Sequence, residues 1–237
     1  MEILVDYNNV LTSDRRKGIR YVTERILNAI GPHRLGKRSR ASFRLYDGWY
    51  ELQSLTRTAQ EVFADVQANT PHTASFLDDS VKATVIVNVE LAYSLRCDPT
   101  VPLYHTFRPK TPQSNVTCRS PRLAGCKALQ CPLEPMATFI SASQCPDDTC
   151  SFTPPDLLIR NEQKLVDAMM AADLFSILMT SAPEVVLVSS DDDLLPVIRL
   201  LVKTGMTVFH VLTRPPSQSM SLCLHGLDDN KYFQIEI

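Results

Sequence analysis

The chain alternates short apolar runs with longer stretches in which apolar residues recur at helical spacing. Runs rich in β-branched residues predict strands, and they lie at 2–5, 42–46, 83–89, 184–189 and 207–212. Apolar positions three or four residues apart predict helices, and these lie at 21–30, 54–68, 161–175 and 194–203. The run at 83–89, written ATVIVNV, is typical of a strand buried on both faces of a parallel sheet. The alternation predicts a doubly wound α/β fold with a mostly parallel central sheet.

The segment 98–155 differs from the rest of the chain in amino-acid composition. Ten of the sixteen prolines and five of the seven cysteines lie in it, so long regular helices are not expected there. We therefore predict a single domain over 1–237, with its core formed by 1–95 and 160–237 and with 98–155 as a Cys/Pro-rich insertion.

Composition sets broad limits on the class of protein. With 237 residues, of which 44% are apolar, the chain can bury a substantial core. No run has the length of a bilayer-spanning helix, and the first residues lack the basic flank of a secretory signal. An odd number of cysteines without an export signal favours reduced thiols. We expect a cytoplasmic protein that does not bind membranes.

Charge is distributed unevenly along the chain. The net charge is only −2, but residues 12–44 contain ten basic residues and two acidic ones. Such a cluster is suited to holding a phosphate backbone, and a solvated helix face is the alternative interpretation. The candidate nucleic-acid-binding residues are Arg15, Arg16, Lys17, Arg20, Lys37, Arg38 and Arg40.

Four acidic residues are placed where this fold would hold a ligand. Asp6 ends the first predicted strand, Asp191 and Asp193 follow a later one, and Asp167 lies on the helix between them. The carboxyl ends of parallel strands form the binding crevice of such sheets. Carboxylate oxygens are the ligands of Mg²⁺ and Mn²⁺, which can activate water for phosphodiester hydrolysis. Alternatively, Asp191 or Asp192 caps the following helix.

Three motifs resemble the NYN branch of the PIN-like nucleases. VDYNN at 5–9 is similar to the first-strand motif of that family, and KLVDAMMAAD at 164–173 is similar to its Lys-x-x-Asp helix. The run at 186–208, which begins VLVSSDDD, resembles its strand, acidic turn, helix and following strand. The resemblance covers roughly 1–95 and 160–237. Ser190 stands where the family commonly has glycine in the turn.

The resemblance implies a three-layer α/β/α sandwich, PIN-like and Rossmann-like, and a hydrolase that uses Mg²⁺ or Mn²⁺. It implies that the metal-site carboxylates are Asp6, Asp167, Asp191 and Asp193, that Asn9 orients a phosphate or the metal, and that Ser189 supports the site. Asp173, six residues after Asp167, falls on a different helix face and is the weaker candidate. The expected activity is that of an endoribonuclease, with RNA favoured over DNA as substrate.

The insertion carries two equally spaced cysteine pairs, Cys126-x4-Cys131 and Cys145-x4-Cys150. Four thiolates in a proline-rich segment suit structural zinc, with Cys118 or His105 able to replace one member; buried or free thiols are the alternative. A rigid lobe of this kind could bind a protein partner. The rival function is therefore a catalytically inactive RNA-binding or protein-interaction adaptor that uses the Cys-rich lobe. The chain has no P-loop pattern that would support nucleotide hydrolysis.

Overall fold

The computed structural model describes residues 1–35, 38–78, 81–110, 117–158, 160–180 and 182–237. It divides into two compact units, one formed by Met1–Thr106 with Gln163–Ile237 and the other by Phe107–Glu162. The predicted insertion, 98–155, begins within the first unit and ends within the second.

The strands of the described residues, in chain order, are β1 (Glu2–Asp6), β2 (Arg40–Tyr46), β3 (Tyr50–Glu51), β4 (Ser54–Leu55), β5 (His72–Asp78), β6 (Val81–Leu91), β7 (Phe107–Lys110), β8 (Arg160–Gln163), β9 (Glu184–Val188), β10 (Thr207–Leu212) and β11 (Tyr232–Glu236). The helices are α1 (Thr12–Arg15), α2 (Ile19–Ile30), α3 (Pro32–Leu35), α4 (Arg57–Asn69), α5 (Glu134–Ala142), α6 (Pro154–Leu157), α7 (Val166–Met179), α8 (Leu195–Lys203) and α9 (Gln218–Leu224). A 3₁₀ turn, Asp192–Leu194, precedes α8.

A mostly parallel sheet organises the first unit. Its strand order in the described residues is β11-β10-β9-β1-β2-β6-β5, and the β5–β6 pair is antiparallel whereas the other pairs are parallel. The carboxyl ends of β10, β9, β1 and β2 therefore lie side by side at one edge, which we call the carboxyl edge. The residues that follow these strands form the crevice expected of an open parallel sheet. The fold is thus mixed α/β, as the sequence predicts.

Apolar side chains cover both faces of this sheet. Ile3 and Val5 belong to a buried cluster with residues of α2 and α4, whereas Leu4 belongs to a second cluster with residues of α7, α8 and α9. Successive residues of a strand point to opposite faces, which explains why neighbours in β1 enter different clusters. Every residue of β1 after Glu2 is consequently buried.

Strand β6 differs from the prediction for the run 83–89. Its residues alternate between buried and exposed, so that Val85 and Val87 are buried while Ile86 is 42% exposed. The strand lies next to the edge strand β5, and only one of its faces is covered by the core. A continuous β-branched run therefore did not mark a strand buried on both faces here.

Two predicted helices begin later than the apolar spacing suggests. Helix α4 begins at Arg57, because Ser54 and Leu55 pair in a short antiparallel ladder and the Thr56 hydroxyl caps the helix by accepting from the Ala59 N–H. Helix α7 begins at Val166, because Leu165 has a left-handed backbone conformation that breaks the helical path. Asp167 is consequently in the first turn of α7 and not in the middle of a longer helix.

The second unit contains β7, most of β8, α5 and α6. Helix α5 runs for nine residues with Pro135 in its first turn, where a missing N–H costs no helical hydrogen bond. Arg108 and Glu162 form an ion pair at 3.5 Å within this unit. In the described ranges of both units, no helix combines the length and the apolar character that crossing a membrane requires.

Candidate metal centre and active site

Three carboxylates meet at the carboxyl edge. Asp6 is the last residue of β1, and Asp191 follows β9, the strand paired with β1 in parallel register. Asp167 reaches the same place from the first turn of α7. One ligand oxygen from each of the three lies within 4.8 Å of the others. Among the described residues, this is the one group of three or more Asp, Glu, His or Cys side chains that meets that spacing.

Asn9 holds the carboxylate of Asp6 in place. The backbone N–H of Asn9 donates to Oδ1 of Asp6 at 3.2 Å, and its side-chain amide donates to Oδ2. The amide oxygen of Asn9 in turn accepts from the backbone N–H of Ser190 at 3.3 Å and from the guanidinium of Arg214 at 3.2 Å. Asn9 is therefore a buried link between the first strand and the acidic turn, as well as a neighbour of the acids.

Burial makes the ionised form of Asp6 costly. Asp6 is only 3% exposed, and desolvation raises its pKa to about 6, with the charges of Asp167 and Asp47 adding to the rise and the hydrogen bonds from Asn9 opposing it. The pKa of Asp167 is also raised, first by desolvation and then by the charges of Asp191 and Asp193. A bound cation would offset both penalties, so the donor set fits a divalent metal ion with oxygen ligands.

Asp191 and its neighbours form the turn after β9. The Ser189 hydroxyl donates to Oδ2 of Asp6 at 3.3 Å and accepts from the Asp191 N–H at 3.1 Å, which joins the ends of two strands. Asp191 also caps the 3₁₀ turn by accepting from the Asp193 N–H at 3.2 Å. The capping and metal-site interpretations of Asp191 are thus compatible. Asp193 is exposed and outside the group of three, although its charge acts on Asp167.

Asp192 has a different partner. Its carboxylate accepts from the Ser217 hydroxyl at 2.8 and 3.0 Å, and the same hydroxyl accepts from the Met220 N–H at the start of α9. Asp192 therefore ties the acidic turn to α9, and it does not cap α8.

Residues 148–226 match the family model of the NYN domain, a PIN-like nuclease domain. This segment is similar to an NYN domain. Members of this family are nucleases, and the resemblance proposed from the sequence motifs is confirmed. Comparison with curated proteins and with solved structures gave no match. The matched segment contains Asp167, Asp191 and Asp193, whereas Asp6 joins them through the pairing of β1 with β9.

Asp47 is an acid of the site that the sequence interpretation missed. It follows β2, the other neighbour of β1, and burial raises its pKa to about 6, while the backbone N–H of Gly48 and the charge of Arg15 oppose the rise. Its Oδ1 accepts hydrogen bonds from the Gly48 N–H at 2.6 Å and from the Gln163 amide. The sequence contained the signal that could have identified it: like Asp6, Asp47 is an acidic residue directly after a predicted strand.

Asp173 is not part of the cluster formed by Asp6, Asp167 and Asp191. It is fully buried and accepts hydrogen bonds from Nε of Arg44 at 2.9 Å, from the Tyr46 hydroxyl at 2.5 Å and from the Arg96 N–H at 2.7 Å. These donors satisfy both carboxylate oxygens. Its place as the weaker candidate in the sequence interpretation agrees with this structural role.

Ser190 occupies the turn in place of the family's glycine. Residues with positive φ in the described part of the chain do not include it, so its backbone does not need a glycine. Its hydroxyl oxygen accepts from the N–H groups of Thr213 and Arg214 at 3.0 and 3.1 Å. The serine thus fixes the segment after β10 to the acidic turn.

His210 supports the turn from within β10. It is fully buried, and its Nε2 lies 2.9 Å from the Ser189 carbonyl oxygen, which can only accept, so Nε2 donates. Its Nδ1 lies 2.9 Å from the Tyr232 hydroxyl and accepts from it. Desolvation lowers the pKa of His210 to about 4, despite the opposing hydrogen bond to Ser189. The histidine is therefore a neutral core residue.

The predicted nucleic-acid-binding residues do not all lie on one side of the sheet. Arg40 begins β2 and Arg38 pairs with Glu184 at the start of β9, so both lie at the amino ends of the strands, opposite to the acids. Their assignment to nucleic-acid binding stays a prediction, because their position relative to a substrate is not tested. Lys17 pairs with Asp14 at 3.4 Å and Arg20 with Glu24 at 2.9 Å. Lys37 lies outside the described residues.

The cysteines of the second unit form pairs and not a group of four. The Sγ atoms of Cys126 and Cys131 lie 3.3 Å apart in a thiol hydrogen bond, and Cys145 interacts with Cys150. Two sulfurs on one tetrahedral zinc lie about 3.8 Å apart, given Zn–S bonds of about 2.3 Å. Cys118 donates to the Arg119 carbonyl oxygen. Within the described ranges, the thiols do not present a preformed four-cysteine zinc site.

Proposed function

We propose that this protein is a divalent-metal-dependent nuclease, and more specifically an endoribonuclease. The observation that carries the proposal is the approach of Asp6, Asp167 and Asp191 to within 4.8 Å of one another, with two of the three inside the segment that matches a nuclease family. Hydrolysis of a phosphodiester bond by water needs charge neutralisation at the phosphate and a base for the water, and buried carboxylates around a metal ion supply both.

Each residue has a distinct role in this proposal. Asp6, Asp167 and Asp191 would hold Mg²⁺ or Mn²⁺, which lowers the pKa of a bound water and stabilises charge on the phosphoryl oxygens. Asn9 and Ser189 fix the orientation of the Asp6 carboxylate. Asp193, exposed beside Asp167, is suited to accept a proton from the attacking water or to complete the ligand set through water. Asp47 adds negative charge on the β2 side.

We also propose that the core over 1–95 and 160–237 is a three-layer α/β/α sandwich. The two apolar clusters, which join helices to opposite faces of the sheet, support it. This arrangement would hold the carboxyl edge rigid while leaving the residues after each strand open to substrate.

The test measures cleavage by the purified full chain. Single-stranded RNA and DNA of the same sequence are incubated with Mn²⁺ or with EDTA, and the wild type is compared with Asp6→Asn, Asp191→Asn and Asp192→Asn. We expect Mn²⁺-dependent cutting of RNA that falls at least about a hundredfold in the first two variants, since several kcal/mol of transition-state stabilisation are lost. Asp192→Asn is the matched control, because its carboxylate faces Ser217 and not the metal site.

Other results would correct the proposal. Faster cutting of DNA than of RNA would change the substrate, and unchanged cutting by Asp6→Asn and Asp191→Asn would remove the metal site from the mechanism. RNA binding without any cutting in Mn²⁺ or Mg²⁺ would favour the adaptor function in place of the nuclease.

A further inference from the structure

Two arginines beside the acid cluster have no acidic partner. Within the described part of the chain, neither Arg15 nor Arg214 has a carboxylate within the 4.0 Å of an ion pair, whereas Arg25 pairs with Asp14 and Arg20 pairs with Glu24. Their charges are therefore available to an external anion. The two side chains come from distant parts of the sequence and reach the site independently.

Arg214 stands on the β10 side of the acids. It follows the end of β10, its backbone N–H is fixed by the Ser190 hydroxyl, and its guanidinium donates to the Asn9 amide oxygen at 3.2 Å. Asn9 in turn holds Asp6. The guanidinium is thus one hydrogen-bonded residue away from the acid cluster, and Arg214 is exposed.

Arg15 stands on the opposite side, near β1 and β2. Its guanidinium carbon lies 5.6 Å from the centre of the Tyr7 ring, and its charge acts on Asp47 directly after β2. Its Nε is buried and has no hydrogen-bond partner among the described residues.

A cavity opens beside Arg15. It has a volume of about 350 Å³, and its lining includes Tyr7, Arg15, Arg16, Thr58 and Glu61. Both acids of this lining already have partners. Glu61 pairs with Arg57 at 2.8 Å, and Asp65 accepts from the Ile19 N–H at 2.7 Å and from Asn69. Arg15, Arg16 and the Thr58 hydroxyl are the groups of the lining that suit a phosphate.

The strand order places the two arginines on different sides of the acids. Arg214 follows β10, whereas the charge of Arg15 acts on Asp47 after β2, and β9 and β1, which lead to Asp191 and Asp6, lie between β10 and β2. A nucleic-acid strand carries one phosphate per nucleotide, so a single strand that crosses the acids can contact both arginines.

We infer that Arg15 and Arg214 bind phosphates on opposite sides of the scissile bond, so that the site acts on internal bonds of a single nucleic-acid strand. This inference rests on the proposed function and specifies which part of a substrate the site accepts. A strand that occupies both positions crosses the acids between them. A bond at the very end of a strand would leave one of the two arginines without a phosphate.

Binding is measured separately from cutting. In an Asp191→Asn background and without divalent metal, the affinity for a fluorescent single-stranded RNA of twelve nucleotides is followed by anisotropy over a range of salt concentrations. Each of Arg15→Gln and Arg214→Gln should reduce the magnitude of the slope of log affinity against log salt by about 0.7, and the double variant by about 1.4. Affinity should fall about tenfold for each.

Matched variants separate charge from folding. Lys203→Gln removes the same charge from the end of α8, near the amino ends of the strands, and should leave the slope unchanged. Arg15→Lys and Arg214→Lys keep the charge and should keep the slope, while thermal unfolding reports whether each variant folds. The inference would be overturned if the slope of log affinity against log salt were the same in Arg15→Gln and Arg214→Gln as in Lys203→Gln. It would also be overturned if only one of the two arginine variants reduced the slope.

The position of the cut gives a second test. With the wild type and Mn²⁺, RNA labelled at either end should yield no single-nucleotide products from either terminus, and release of mononucleotides would contradict two-sided binding. If the wild type does not cut RNA, the proposed function fails, yet the slopes still decide whether the two arginines bind phosphate. If the Asp191→Asn protein does not bind RNA at all, the inference about Arg15 and Arg214 fails.

Discussion

Oδ2 of Asp173 lies 2.9 Å from Nε of Arg44, in an ion pair whose two side chains are buried. Asp173 is six residues after Asp167 on the same helix, and both residues lie in the segment that matches the NYN family model. The helix turns these acids to different surroundings. Asp167 faces other carboxylates, whereas Asp173 faces three donors. The two positions should respond in opposite ways to the same substitution.

Asp173→Asn should destabilise the protein by about 3–5 kcal/mol, because it removes one partner of a buried charge pair. Asp167→Asn should not destabilise the metal-free protein, since it removes a carboxylate whose charge is disfavoured. Urea denaturation in EDTA measures both. The thermal shift caused by Mn²⁺ should persist in Asp173→Asn and disappear in Asp167→Asn, and the reverse pattern would exchange their roles.

Asp6→Asn should change how the stability of the metal-free protein depends on pH. The pKa of Asp6 is raised from 3.8 to about 6, so its contribution to stability is present below pH 3.8 and is lost as pH rises through about 6. The full loss amounts to about 3 kcal/mol as an upper bound. In EDTA, the free energy of unfolding of Asp6→Asn relative to the wild type should therefore rise between pH 4 and 7. A constant difference across that range would contradict the burial penalty.

His210→Gln should remove an acid sensitivity of the fold. The pKa of His210 is lowered from 6.5 to about 4, so its contribution is present above pH 6.5 and is lost as pH falls toward 4, when the unfolded chain binds a proton that the folded one excludes. The loss is about 3 kcal/mol over that window. Glutamine can still donate to the Ser189 carbonyl. The free energies of unfolding of the wild type and of His210→Gln should therefore converge as pH falls from 6.5 to 4. A constant difference between them would argue for a charged histidine in the folded protein.

Ser190→Gly should destabilise the protein by about 1–2 kcal/mol even though it restores the residue common in the family. Ser190 has no positive φ for glycine to relieve, and its hydroxyl satisfies the N–H groups of Thr213 and Arg214. Denaturant titration provides the measurement, with Ser221→Gly on α9 as a serine replaced at an exposed helical site. Greater stability of Ser190→Gly would mean that the turn is strained.

The thiols of the second unit should all react with a thiol reagent in the protein as purified, because none of them is in a disulfide. Cys126 should react first among the four paired cysteines, because the hydrogen bond from the Ala128 N–H and the interaction with Cys131 lower its pKa and favour the thiolate. Timed alkylation with peptide mapping identifies the order. One zinc per chain, released when Cys126 or Cys145 is replaced by serine, would instead show that metal rearranges the pairs into one site.

Local patterns were enough to predict much of the parallel sheet. The apolar run 207–212 coincides with β10, and the run at 2–5 ends one residue before β1 does, because each buried strand needs a continuous stretch of apolar residues. The same pattern placed Asp6 and Asp191 at the ends of strands. Since adjacent parallel strands end at one edge, their proximity followed once the sheet was predicted.

Other features depended on contacts between residues far apart in the chain. Asp47 lies near Asp6 because β2 pairs with β1. Asp173 lies outside the acid cluster because its carboxylate contacts Arg44 and Tyr46. The direction of β2 carried Arg38 and Arg40 away from Arg15, although all three belong to one basic stretch of sequence.

The acid cluster shows where the division lies. The sequence by itself determined which carboxylates follow strands, because strand ends are set by local apolar runs and the polar residues that stop them. Only the tertiary structure decided which of these carboxylates face one another and which pair with arginines. It also decided which arginines have no acidic partner and can bind an anion. Those outcomes depend on strand order and helix rotation, and both are fixed by burial of the whole core.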